Sequence, residues 1–144
     1  MVDGAIVVKK LAADEFFRGL LASLVSTGTK RIVAPQTEVH QAFNRLVEML
    51  RAHKFGPELD VELKDVDYDP LYGLSGWLDH TLTWAQRDLL ISFGNPSYDL
   101  IEIKYDEGQA ERVLQGLGDL AGYREVAEAF KTELERAKTY DKQS

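Results

Sequence analysis

Three groups of side chains in this sequence could do chemistry: a histidine among aromatics, an acid-x-lysine triplet and a short ladder of aspartates. The histidine is His80, in GWLDHTLTW (76–84). Read with period two, that stretch places Leu78, His80, Leu82 and Trp84 on one face and Trp77, Asp79, Thr81 and Thr83 on the other. An imidazole titrates near working pH, so on an aromatic face it could act as a general base or hydrogen-bond a ligand. Tyr68, Tyr72 and Trp84 are close in sequence, and 68–105 holds seven of the fourteen aromatics. The glycine-containing loop 69–76 could close over such a cleft. The candidate ligand-binding set is therefore Tyr68, Tyr72, His80 and Trp84, with His80 the catalytic candidate. The competing account, and the commoner one, is a core or rim histidine satisfied by backbone or water. Asp79 points to the other face in this register, so no group that would orient the ring is identifiable.

The triplet is Glu102-Ile103-Lys104 in SYDLIEIK. An acid-x-lysine pattern on a strand is one that metal-dependent nucleases use, with carboxylates holding Mg²⁺ and the lysine positioning the attacking water. Asp88 or Asp99 could supply a second carboxylate, and Glu15 or Glu38 a helical one. Glu102 and Lys104 also alternate with Ile101 and Ile103 as on any solvent-facing strand, and this ranks third among the readings. Asp65-x-Asp67-x-Asp69 opens like a calcium loop, but Pro70 and Gly76 occupy the sixth and twelfth positions, which excludes an EF-hand. KRIVAPQTEV could meet an anion beside Lys30 and Arg31, yet it lacks a glycine-rich cradle. His40 and His53 are thirteen apart and read as two surface histidines rather than a zinc pair. No G-x-S-x-G is present, and neither a metal nor a cofactor is expected.

The elements that would position these residues follow from periodicity. GAIVVKK (4–10) reads as a strand, and ADEFFRGLLASLVSTG as a helix with Phe16, Phe17, Leu20, Leu21 and Leu24 inward and Gly28 past its end. KRIVAP (30–35) reads as a strand. A helix capped by Thr37 follows, with Val39, Phe43, Leu46, Val47 and Leu50 as its stripe, ended by Gly56 and Pro57. Leu59, Val61 and Leu63 alternate with charges as in a half-buried strand. Three more strands are expected at 77–84, 89–94 and 99–105, joined by AQRD and NPSY turns as a meander. Two helices close the chain, and the last residues, 140–144, should fray. The order β-α-β-α-β-β-β-β-α-α predicts a single-domain α+β protein over 1–144. It would be a two-layer sandwich whose mainly antiparallel, mixed sheet of four to six strands carries helices on one face.

Composition narrows the classes of function. The 144 residues, 44% hydrophobic and 28% charged, suit one globular domain. Without cysteine there is no disulfide, thiol nucleophile or thiolate metal site. The N-terminus lacks the order of a signal peptide, and no apolar run approaches the roughly 20 residues of a membrane span, so a soluble cytoplasmic protein is expected. The net charge of −7 disfavours nucleic acid. It divides unevenly: residues 1–57 hold eight Lys/Arg and five Asp/Glu, net +3, against nine and nineteen in 58–144, net −10. With no motif naming a reaction, the sequence leans to a non-enzymatic protein working through protein contacts, an adaptor or an inhibitor with a basic partner. The alternative is a small-molecule binder or small enzyme built around His80. A homodimer is expected under either, because a meander leaves an unpaired edge.

Overall fold

The computed structural model describes residues 11–56, 59–93, 100–117 and 120–143. The strand expected at 4–10 and the NPSY turn lie outside them. Five helices and three short strands alternate in the order α1 (Ala13–Ser26), β1 (Arg31–Val33), α2 (Gln36–Arg51), α3 (Gly76–Arg87), β2 (Ile91–Phe93), β3 (Leu100–Ile103), α4 (Glu107–Leu117) and α5 (Leu120–Gln143). The strands form one antiparallel sheet in the order β1-β3-β2, with Ile32 opposite Ile101 and Ile91 opposite Ile103. Those four isoleucines turn one face of the sheet into the core.

Most of the core is helix against helix. On α1 nearly every residue from Phe16 to Val25 is buried, the mark of a helix packed on several sides. It meets α4 and α5, while α2 lies along α5. The closest approach is at Gly19, where a Cβ would stand 2.3 Å from Cε1 of Tyr123 and 2.9 Å from Cδ1 of Leu117. The Ser23 hydroxyl donates to the Tyr123 carbonyl across the same seam.

The expected two-layer sandwich is therefore corrected: among the described residues there are five helices, and the sheet has three strands rather than four to six. Two segments account for the difference. Residues 77–84 belong to α3, because Leu78, Thr81, Leu82 and Ala85 are buried at spacings of three, one and three, a helical stripe. Two leucines four apart satisfy period two and period 3.6 equally, and the Ser75 cap decides in favour of helix: its hydroxyl accepts from the Leu78 N–H at 3.1 Å. AQRD is accordingly the end of α3 and its first turn out, not a hairpin. Residues 59–63 keep the expected alternation, with Leu59, Val61 and Leu63 buried, but among the described residues they form a single parallel bridge, Val61 to Leu11. At the start of α2, Pro35 takes the cap position expected for Thr37, and no side chain caps there.

Candidate functional site: the clamped turn before α3

Between α2 and α3 the chain runs from Leu59 to Ser75 without regular structure, yet it is fixed at many points. Leu59, Val61, Leu63 and Val66 are buried. The Leu11 N–H donates to the Asp60 carbonyl at 2.8 Å, and the Glu62 N–H to the Leu11 carbonyl at 2.7 Å. Arg51, in the last turn of α2, donates to the carbonyls of Leu63 and Val66 at 3.3 and 3.1 Å. Buried backbone outside a helix or sheet needs such partners, and here the cationic end of a helix supplies them.

The segment ends in a double clamp on α3. One Oδ of Asp67 accepts from the Trp77 N–H at 2.8 Å and from the Ser75 hydroxyl at 3.3 Å, and the other from the Gly76 N–H at 3.3 Å. The Trp77 N–H, opposed by some desolvation and aided by Gly76 and Ser75, holds the Asp67 carboxyl below the usual aspartate value. The second half of the clamp is His40. It lies on α2 with 0% exposure, and its Nδ1 accepts the Ser75 N–H at 2.8 Å. The ring proton therefore sits on Nε2, which is buried and has no hydrogen-bond partner among the described residues. Burial pushes the imidazole below its ordinary value, against the opposite pull of Asp79 and Asp67.

Between the two ends of this clamp stands a tight turn. The Asp69 N–H donates to the Leu74 carbonyl at 2.8 Å, the Asp69 carbonyl accepts from Gly73 at 2.8 Å, and its side chain accepts the Leu71 N–H at 2.9 Å. Gly73 has φ +69°, the left-handed conformation this turn requires. The turn holds its apolar residues outward: Leu71 is 81% and Tyr72 68% exposed, with Leu74 partly so. Acids dominate the segment that carries it, since 59–75 holds Asp60, Glu62, Asp65, Asp67 and Asp69 against the single Lys64. A cleft of about 480 Å³ alongside is lined by Asp14, Glu15, Glu62, Asp65 and Trp77.

The residues singled out from sequence divide. His80 is exposed on α3, one turn before Trp84. Trp84 is half-buried, with the Arg18 guanidinium 4.8 Å from its ring centroid. Tyr68 is half-buried and Tyr72 fully out on the turn, and none of the four lines the neighbouring cleft. Tyr72 alone belongs to the feature described above. Trp77, by contrast, stacks on Phe43 at 5.8 Å between centroids and meets Phe17 edge-on at 6.5 Å, tying α3 to α1 and α2. Glu102 is half-buried on β3, 3.9 Å from Arg31, and Lys104 is exposed. Among the described residues no three of His, Asp or Glu stand together as a metal site would need, and no helix is long and apolar enough to cross a membrane. Leu71 was not a candidate from sequence, Asp67 was weighed there only within a calcium-loop pattern, and His40, read there as a surface histidine, is buried. The signal for His40 was its position three and seven residues before Phe43 and Val47, on the buried stripe.

No protein-family model, curated protein or solved structure matches the chain.

Proposed function

We propose that this chain is a protein-contact module whose recognition element is the turn Asp69–Leu74, with Leu71 and Tyr72 as its anchors. The observation that carries the reading is the combination of exposure and rigidity. Two large apolar side chains project from a backbone held by four hydrogen bonds within the turn. Leaving apolar surface in water forgoes about 25 cal/mol per Å² of burial, and tyrosine is among the residue types that anchor interfaces. A turn fixed before binding also loses little entropy on docking.

The acids of the same segment suggest the partner's chemistry: an apolar pocket with a basic rim, on another protein. A second copy meeting this turn about a two-fold axis would set Asp65, Asp67 and Asp69 against their counterparts, so this element is assigned to a different protein. Self-association is proposed through the sheet instead, where β1 is an edge strand among the described residues and Val33 is 61% exposed. Light scattering at micromolar concentration should give twice the chain mass of 16.2 kDa, and a monomer would remove self-association from the proposal.

The contact is tested by placing a photo-crosslinking amino acid at Tyr72, with exposed Gln86 on α3 as the control position. The expected result is one discrete heterologous adduct from position 72, lost when Leu71→Ser is added. The same products from both positions, or none from either, would overturn the proposal.

A further inference from the structure

The clamp that holds the recognition turn to α2 is a hydrogen bond to an imidazole acceptor, and such an acceptor exists only while the ring is neutral. We infer that His40 is a proton-operated latch: a proton on Nδ1 releases the segment 69–75 from α2 while the cap of α3 stays closed. This deepens the contact reading above and rests on it for its purpose, though not for its chemistry.

The geometry leaves the charged ring no alternative at that atom. Nδ1 is 2.8 Å from the Ser75 nitrogen, whose hydrogen points at it. Protonation puts two donors face to face and removes the bond. The ring is 0% exposed and Nε2–H already lacks a partner among the described residues, so a cation there has one bond fewer and no solvent. Desolvating a charge costs far more than breaking a surface turn's contacts, so the cheaper course is to open the segment and admit water. The charged groups acting on the ring are Asp79 from α3 and Asp67 from the incoming loop. Both favour the imidazolium and oppose the larger effect of burial, which lowers its pKa.

Opening is confined to one side by the Asp67 half of the clamp. That carboxylate holds the Trp77 and Gly76 N–H groups and the Ser75 hydroxyl independently of His40. Its backbone bonds keep it ionised at pH 5. The Ser75 hydroxyl likewise goes on accepting from Leu78. Ser75 therefore works as a hinge: its N–H lets go of α2 while its side chain still caps α3. The turn that carries Leu71 and Tyr72 keeps its own four hydrogen bonds and is freed from α2 as a unit in acid.

Amide hydrogen exchange at pH 7.5 and 5.0, corrected for the intrinsic rate at each pH, tests the latch without any partner. Wild type should lose at least tenfold protection at pH 5.0 at the Ser75 amide, the one His40 holds, while amides of α1 and α5 keep theirs. His40→Asn, whose side-chain oxygen can accept from Ser75 but cannot take a proton, should keep that amide protected at both pH values. Protection retained in wild type at pH 5.0, loss shared with the helical core, or the same loss in His40→Asn would each overturn the inference. Should His40→Asn fail to fold, the wild-type imidazole resonance decides. A His40 signal titrating together with turn opening supports the latch, and one that stays neutral through pH 5.0 refutes it. A working latch on a turn that crosslinks nothing would leave the inference standing and the contact reading fallen.

Discussion

Two histidines set the terms at the scale of single residues. His40 is enclosed and His80 is exposed one element away. For His40 the consequence is a pH dependence whose sign follows from its lowered pKa. The unfolded chain takes up the proton first as pH falls through about 6.5, the ordinary value, whereas the enclosed ring resists it. Its contribution to stability is complete above that value and declines below it, by up to about 1.4 kcal/mol per pH unit. The decline levels off where the folded chain, with its turn released, takes up the proton as well. Urea unfolding at pH 7.5, 6.5 and 5.5 should show this slope in wild type and not in His40→Asn. His80 predicts the opposite: His80→Leu should change stability by less than about 0.5 kcal/mol, as exposed substitutions do. A fall in Tm of several degrees would place that ring in the core and contradict its position on α3.

At the scale of elements, the seam between α1 and α5 carries the sharpest demand. Gly19→Ala would drive a methyl group to 2.3 Å from a Tyr123 ring that is itself buried and 5.9 Å from the Phe16 ring centroid. Neither helix can retreat without opening the core. The expected loss is about 1–3 kcal/mol, the usual cost of overpacking, or a Tm lower by roughly 2–12 °C by calorimetry. An unchanged Tm would mean that the two helices do not approach there. Four helices and three strands were legible because their apolar residues match only one period. Phe16, Leu20 and Leu24 are buried together with Phe17 and Leu21, which a strand would turn to its opposite face and only a helix brings to the same one. In 77–84 the apolar residues match both periods, and the choice is made by Ser75 and Asp67 capping from outside the window. In 59–63 the alternation was real, but a strand also needs a neighbour, and among the described residues only Leu11 provides one. Partnership across such distances is not written in a local pattern.

For the whole molecule, the helices supply most of the buried apolar residues, with the sheet and the segment 59–66 adding nearly all the rest, and what this core leaves outside is selective. Among the described residues the strongly exposed large hydrophobics are Val33, Leu71, Tyr72 and Leu89, and two of the four are adjacent on one clamped turn. The acidic excess of the second half of the chain was plain in the sequence, and five of its acids fall in the segment that carries this turn. The turn itself was legible as Pro70 and Gly73, whereas the outward direction of Leu71 and Tyr72 was not. That direction depends on the Asp69 bonds and on the His40 and Asp67 clamp, which join residues far apart in sequence. The account predicts that removing the two anchors costs binding and nothing else. The most direct measurement compares wild type with Leu71→Ser/Tyr72→Ser, by melting curve and by recovery of the adduct or complex formed in cells. The expected result is a Tm within about 2 °C of wild type together with loss of the complex. A Tm lower by several degrees would make the two residues part of the fold, and an undiminished complex would place recognition elsewhere; either would contradict the account.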